Sequence, residues 1–273
     1  MIDIALFENE RIDDLERNGY RIIQNKKKFC FGMDAVLLSG FICESEAVNK
    51  PEYLKMADMG TGTGIIPILI HGKLKKRSRS EGPWLYGLEI QEEMADMALR
   101  SVRLNDLEND ICFIKADIKQ SSDILGRGCF DAVSSNPPYK KQGKGLESPD
   151  MSRAISRSEI LCTLEDVIRQ AGLMLKQGGR FFMVHRPERL TEIMTLLRQY
   201  KLEPKRLRMV HSFSDSEASM VMIEALKGGG QFMIIEKPLI IYKEKGIYHE
   251  IDGVGEIEDV QKRVFALMDE ICK

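Results

Sequence analysis

The sequence predicts an α/β protein whose mostly parallel sheet carries helices on both faces. From residue 53 to residue 227, apolar runs of strand length alternate with segments of helical period, which is typical of βαβ units. A glycine-rich turn at residues 60–64 directly follows the first run. The last two runs, RLRMVHS (206–212) and ASMVMIEALK (218–227), are separated by too few residues for a crossover helix, so this pair is expected to be antiparallel.

Each element follows from its local pattern. Seven strands are expected from short apolar runs at residues 53–60, 84–90, 111–117, 129–136, 179–186, 206–212 and 218–227. Four helices are expected from helical spacing of apolar residues at 64–74, 91–107, 156–177 and 186–202, with a short helix after residue 117. Gly178-Gly179 suits the end of the third helix, and Pro187 suits the first turn of the fourth.

Composition places the chain among globular proteins. It has 40 basic and 42 acidic residues, and 43% of its residues are hydrophobic. The acidic start lacks the basic and apolar regions of a secretory signal, and the longest apolar runs fall short of a membrane span, so a cytoplasmic protein is expected. Six scattered cysteines without a C-x-x-C pair predict reduced, mostly buried thiols and no metal site.

Basic residues are clustered although the net charge is slightly negative. Three segments, residues 73–79, 140–157 and 201–208, are locally basic. Such patches can follow a phosphate backbone, and they can equally be ordinary solvated surface.

The glycine turn indicates a cofactor site. Gly60, Gly62 and Gly64 allow a tight strand-to-helix turn where a ligand approaches bare backbone. Isoleucine stands where the third glycine of a dinucleotide fingerprint would be, and Asp58 would repel a pyrophosphate, which disfavours NAD and ATP. A cationic cofactor without phosphate, S-adenosylmethionine, suits this acidic turn better.

Acidic residues also end the next two strands. Glu89 is suitably placed to accept hydrogen bonds from ribose hydroxyls, and Asp117 could meet the adenine amino group. Each acid could instead cap a helix or lie in a solvated loop. Together with Asp58 they predict a ligand at the carboxyl ends of the parallel strands.

The fourth strand ends in Asn136-Pro137-Pro138-Tyr139. The prolines fix a rigid path away from the sheet. The Asn136 side-chain oxygen and the Pro137 carbonyl can accept the two N–H groups of an amine attached to an aromatic base, and Tyr139 can stack on that base. This pattern predicts methyl transfer to a planar nitrogen, although a stiff turn with a buried tyrosine would have the same sequence pattern.

These motifs resemble the class I S-adenosylmethionine-dependent methyltransferases that act on exocyclic or amide nitrogens. More narrowly, the chain resembles the bacterial tRNA(Val) adenine-37 N6-methyltransferase family over about residues 19–250, through FGMDAVLLSGF (31–41), NPPY (136–139), HRPERLTEI (185–193), EPKRLRMVHS (203–212) and EALKGG (224–229). The resemblance implies a Rossmann-like, seven-stranded sheet with an antiparallel last strand. It departs from the family in the basic insertion at residues 73–84, which lengthens the path from Asp58 to Glu89.

The resemblance implies that Asn136 to Tyr139 hold the target base and that Asp58, Gly60 and Glu89 hold the cofactor, and the residue pattern described above supplies the other expected site residues. We expect the target base to be held by Asn136, Pro137, Pro138 and Tyr139. We expect the cofactor to be held by Asp58, Gly60, Thr61, Gly62, Gly64, Glu89, Asp117 and Asn136. We expect tRNA to be contacted by Lys140, Lys141, Lys144, Arg153 and Arg157.

The predicted organisation has three parts. Residues 1–52, with a helix at 32–42, form an extension near the cofactor site, residues 53–227 form the methyltransferase core, and residues 228–273, with a helix near 256–271, pack on that core. We expect a monomer that needs no membrane and no obligate protein partner. Two alternatives stay open: a release-factor glutamine N5-methyltransferase, which shares the NPPY motif, and a non-catalytic RNA-binding module.

Overall fold

The computed structural model describes residues 4–28, 30–74, 76, 82–137 and 162–242. The described strands are β1 (Glu10–Asp14), β2 (Arg21–Asn25), β3 (Met56–Met59), β4 (Leu85–Glu89), β5 (Ile111–Lys115), β6 (Phe130–Ser135), β7 (Leu175–His185), β8 (Leu202–His211), β9 (Ala218–Lys227), β10 (Ile234–Ile235) and β11 (Leu239–Ile240).

Seven α-helices are described in the same ranges. They are α1 (Met33–Glu44), α2 (Glu46–Asn49), α3 (Ile65–Leu74), α4 (Glu92–Leu104), α5 (Ser121–Leu125), α6 (Leu164–Met174) and α7 (Leu190–Gln199). Short 3-10 turns precede α5 and α7, at Ile118–Gln120 and Pro187–Arg189.

The central sheet has the order β10-β8-β9-β7-β6-β3-β4-β5, with β11 also paired to β8. Strands β3 to β7 run parallel to their neighbours within that group, and β9 runs antiparallel to both β7 and β8. The prediction of a mostly parallel sheet with an antiparallel last core strand is therefore confirmed. After β5 the chain returns to place β6 on the other side of β3, which opens a crevice at the carboxyl ends of these two strands.

Helices cover both faces of the sheet. On one face α1, α3 and α4 bury an apolar cluster that includes Phe41, whose ring meets Phe182 of β7 edge-on at 6.4 Å. On the other face α6 and α7 bury a second cluster around Phe130, Phe181 and Met183. The alternation of side chains along each strand divides the two clusters, as expected for a sheet buried on both sides.

The N-terminal part contains a hairpin, β1–β2, that the sequence analysis did not predict. It packs against α4, where the Arg100 guanidinium binds the Glu10 carboxylate at 2.7 Å and 2.8 Å and Ser101 accepts the Ile23 N–H at 2.9 Å. Long-range contacts with α4 therefore hold the hairpin in place.

Two expectations from the sequence are wrong in detail. The helix predicted to reach residue 177 ends at Met174, because Leu175 already pairs with Phe130 as the first residue of β7. Among the five described cysteines only Cys43 is buried, so mostly buried thiols are not observed. The helix predicted near 256–271 lies outside the described residues.

Candidate active site

The glycine turn between β3 and α3 has the conformation that its sequence predicts. Gly60, Gly62 and Gly64 have φ of 74°, 58° and 87°, in the left-handed region that favours glycine. The Gly60 and Thr61 N–H groups both donate to the Leu88 carbonyl of β4 at 2.9 Å. The turn is therefore fixed against the neighbouring strand.

A phenyl ring also fixes the turn. Phe113 of β5 lies so close that a Cβ added at Gly64 would be 2.4 Å from its Cζ, and a Cβ added at Gly87 would be 2.4 Å from its Cδ1. Both positions must be glycine for this ring to fit between the turn and β4. The sequence analysis missed this role of Gly87 and Phe113, because neither belongs to the glycine motif.

Asp58 is a buried carboxyl at the end of β3. Ser134 Oγ of β6 donates to its Oδ1 at 2.6 Å, and among the described residues Oδ2 has no hydrogen-bond partner although it is buried. Burial raises the pKa of this carboxyl to about 7, despite the opposing hydrogen bond from Ser134. The free oxygen is an acceptor that a cofactor with donor groups could satisfy.

Glu89 ends β4 and supports the turn from the other side. Its Oε2 accepts the Gly62 N–H at 3.0 Å, and its Oε1 accepts the Gln91 N–H at 2.9 Å. Only 6% of the residue is exposed. The carboxylate therefore joins the glycine turn to the start of α4, and its hydrogen bonds orient it at this edge of the sheet.

Asp117 follows β5 and caps the 3-10 turn after it. Its Oδ1 accepts the Lys119 N–H at 2.9 Å, and its Oδ2 lies 3.9 Å from Lys119 Nζ. Asp117 Oδ1 thus caps the 3-10 turn, as one of the two interpretations of the sequence expected. Contact between Asp117 and adenine stays a prediction. Ile118, next in sequence, lies over the turn, with its Cδ1 3.5 Å from where a Cβ at Gly60 would stand.

Asn136 directly follows β6, the strand beside β3. The pairs Asp58↔Ser134 and Met59↔Ser135 place Asn136 level with Gly60, and Ser135 Oγ donates to the Met59 carbonyl at 2.8 Å. Asn136 is half-buried and Pro137 is buried. The structure therefore brings the start of the NPPY motif to the glycine turn.

Seven predicted site residues lie outside the described residues. They are Pro138, Tyr139, Lys140, Lys141, Lys144, Arg153 and Arg157.

His185 is the last residue of β7, the strand beside β6, and it was not predicted as a site residue. It is fully buried, and its Nδ1 accepts the Arg186 N–H at 2.8 Å. Burial lowers the pKa of His185 to about 4, so the ring is neutral at neutral pH. The pair Ser135↔Met183 puts it two residues beyond β6's last paired residue, at the same edge as Asn136. Its position at a strand end in the HRPERLTEI motif is the feature that could have identified it.

In the part of the chain that the structure describes, no group of three or more His, Cys, Asp or Glu side chains is arranged to hold a metal ion. Nor does any helix in those ranges combine the length and apolarity needed to cross a membrane.

The fold is that of the class I methyltransferases. A predicted O-methyltransferase from Agrobacterium tumefaciens superposes with a TM-score of 0.60 at 22% identity, over 85% of this chain and 96% of that one. A 16S rRNA N2 G1207 methyltransferase from T. thermophilus, solved with AdoMet and guanosine, gives 0.57 at 15% identity, over 82% and 52%.

Similar sequences include methyltransferases with more specific names. A tRNA1(Val) (adenine(37)-N6)-methyltransferase of Porphyromonas gingivalis is 28% identical over 71% of this chain and 72% of its own length. One from Pedobacter heparinus is 25% identical over 79% and 84%. A release factor glutamine methyltransferase of Flavobacterium psychrophilum is 23% identical over 63% and 60%. No protein-family model matches the chain. The resemblance predicted from the motifs is confirmed by the relatives with the tRNA activity.

Proposed function

We propose that this protein transfers a methyl group from S-adenosylmethionine to the exocyclic N6 of an adenine in tRNA. The observation that carries the proposal is the position of Asn136 at the end of β6, level with the glycine turn of β3. Relatives named for that activity match more than two thirds of the chain. The alignment of an amide acceptor with a cofactor turn is what methylation of an amino group requires.

The residues at the carboxyl ends of β3, β4 and β5 suit this cofactor. S-adenosylmethionine, when bound, supplies an electrophilic methyl group on a cationic sulfur. Gly60, Gly62 and Gly64 expose backbone for close approach, and Asp58 offers a buried oxygen that no described group satisfies. Glu89 and Asp117 place carboxylates at this edge, and a bound cation would favour the ionised form of Asp58, so the edge disfavours a pyrophosphate and favours a cationic ligand.

The start of the NPPY motif suits an amino group as the nucleophile. An amine attached to an aromatic ring is weakly nucleophilic because its lone pair is delocalised into the ring. Acceptors on Asn136 and Pro137 would bind both of its N–H groups and favour a pyramidal nitrogen as positive charge develops. Tyr139 would stack on the base, which is worth about 1–3 kcal/mol for bases on aromatic side chains. The chain needs no base to remove a proton beforehand.

The finer proposal concerns the substrate. We expect the adenine to be position 37 of a valine tRNA, as in the names of the relatives. An anticodon-loop base is already unpaired, so little energy is needed to extrude it. We also expect the protein to work in the cytoplasm, where tRNA is found, and to act as a monomer.

A release-factor glutamine methyltransferase is the second candidate. A relative with that name matches 63% of this chain, and a side-chain amide nitrogen poses the same chemical problem as an adenine amine. A non-catalytic RNA-binding module would leave the fixed glycine turn without a purpose.

The test is to incubate the protein with labelled S-adenosylmethionine and either bulk tRNA lacking the modification or purified release factor. Labelled nucleosides are then identified by mass spectrometry, with the Asn136→Ala variant as the control. We expect N6-methyladenosine in tRNA. Label in release factor alone would favour the second candidate, and N2-methylguanosine in tRNA would refute the choice of base.

A further inference from the structure

Three consecutive lysines follow the N-terminal hairpin, and we call Lys26, Lys27 and Lys28 the lysine turn. All three are exposed, yet their backbone is held firmly. The Lys26 N–H donates to the Asn9 carbonyl at 3.0 Å, the Lys27 N–H to Asn25 Oδ1 at 2.9 Å, and the Lys28 N–H to the Asn25 carbonyl at 3.0 Å. The turn therefore presents its charges from a fixed position.

The lysine turn lies beside the candidate active site. Lys28 Nζ is 2.8 Å from Glu93 Oε2, in the first turn of α4. The next residue, Met94, has its Cε 3.7 Å from where a Cβ at Gly62 would stand. Two residues of chain span at most about 7 Å, so Lys26 lies close to the same rim as Lys28.

The charges on this rim distinguish Lys26 and Lys27 from the other lysines there. Lys115 binds Glu92 at 2.8 Å, Lys119 lies 3.9 Å from Asp117, and Lys28 is paired with Glu93. Within the described ranges, neither Lys26 nor Lys27 has an acidic partner. These two lysines are thus the members of the turn whose charge is available to a ligand.

A nucleic acid bound here must bring phosphates past an acidic rim. The exposed carboxylates of Glu92 and Glu93, in the first turn of α4, lie on this rim, and each is paired with a lysine. Phosphate contacts made by lysine position a nucleic acid without reading its sequence, and they offset such repulsion.

We infer that Lys26 and Lys27 bind the phosphate backbone of the substrate RNA next to the methylated nucleotide. The inference rests on the proposed function, since it assigns the contact to the same tRNA substrate. It adds a contact surface after the N-terminal hairpin, near the helix that follows β4, whereas Asn136 follows β6 on the other side of β3.

The test is the salt dependence of tRNA binding by the double variant Lys26→Ala/Lys27→Ala. Fluorescence anisotropy with a labelled, unmodified tRNA transcript gives Kd between 50 and 200 mM KCl. Loss of two phosphate contacts should lower the slope of log Kd against log salt by about 1.4–1.8. Between 50 and 200 mM KCl, the loss of affinity in the double variant should therefore be about tenfold smaller than the loss in the wild type. KM for tRNA should rise, while kcat at saturating tRNA and the Kd for S-adenosylmethionine should stay unchanged.

Two further variants serve as controls. Lys50→Ala/Lys237→Ala removes the same charge from exposed positions before β3 and between β10 and β11, and it should keep the wild-type slope. Lys26→Arg/Lys27→Arg keeps the charge and should retain binding. Both pairs of positions are exposed, so thermal unfolding should match the wild type.

An unchanged slope in Lys26→Ala/Lys27→Ala would refute the inference. An equal loss in the Lys50/Lys237 control would refute it too, because net charge alone would then explain the effect. Weaker binding of S-adenosylmethionine would mean that the turn serves the cofactor. A wild-type protein that binds tRNA but transfers no methyl group would instead refute the proposed function, and the binding slopes would still test the turn.

Discussion

Replacing Gly64 with alanine should lower the free energy of unfolding by about 2–5 kcal/mol, because two separate costs add. Gly64 has φ of 87°, and an alanine in the left-handed region costs about 1–2 kcal/mol. Its Cβ would also lie 2.4 Å from Phe113 Cζ, and such overpacking typically costs about 1–3 kcal/mol.

Two other glycines separate these costs. Gly128 has φ of 63° with nothing within 4 Å of an added Cβ. Gly128→Ala should therefore lower the free energy of unfolding by the backbone cost alone, about 1–2 kcal/mol. Gly87 lacks a left-handed φ, but a Cβ added there would lie 2.4 Å from Phe113. Gly87→Ala should therefore lower the free energy of unfolding by the packing cost alone, about 1–3 kcal/mol.

Urea unfolding, followed by the fluorescence of the single tryptophan, Trp84, measures all three variants. A smaller side chain at Phe113 should relieve the packing part, so Gly64→Ala and Phe113→Leu should be coupled by about 1–3 kcal/mol in a double-mutant cycle. The reasoning would be refuted if Gly64→Ala were no worse than Gly128→Ala, or if the cycle showed no coupling.

Three further predictions concern the site. Because burial raises the pKa of Asp58 to about 7 in the folded protein, the free energy of unfolding without cofactor should fall as pH rises from about 4 to 7. Urea titrations of Asp58→Asn should not show this fall, and a pH profile identical to that of the wild type would contradict the prediction. Glu89→Ala should weaken S-adenosylmethionine binding by about 1–3 kcal/mol in calorimetry, since Gly62 loses its acceptor, whereas an unchanged Kd would move the cofactor contact elsewhere. Tyr139→Phe should keep most turnover while Tyr139→Ala loses roughly ten- to a hundred-fold, and a dead Tyr139→Phe enzyme would rule out simple stacking.

The strands of the core could be predicted from the sequence because each is a short apolar run with its own boundary. Ala218–Lys227 is a strand with the predicted bounds, and its antiparallel direction followed from the short connection before it. The hairpin β1–β2 could not be predicted, since Glu10–Asp14 contains one apolar residue and the hairpin depends on bonds from α4, Arg100 to Glu10 of β1 and Ser101 to Ile23 of β2. The end of α6 was misplaced because pairing of Leu175 with Phe130 overrides local helical tendency.

The site divides in the same way. The proximity of Gly60, Glu89 and Asn136 could be predicted because each lies at the end of a predicted strand, and parallel strands bring their carboxyl ends together. The wedge of Phe113 between Gly64 and Gly87, and the bond from Ser134 to Asp58, depend on distances across three strands. No spacing in the sequence indicates such contacts.

The most direct measurement is a single-turnover assay on two valine tRNA transcripts that differ only in carrying adenine or guanine at position 37. With the wild-type protein and S-adenosylmethionine, we expect N6-methyladenosine at position 37 of the first transcript and no methyl group on the second, and we expect Asn136→Ala to be slower by about 10²–10³. Equal methylation of both transcripts, or methylation of neither while release factor is labelled, would contradict the account.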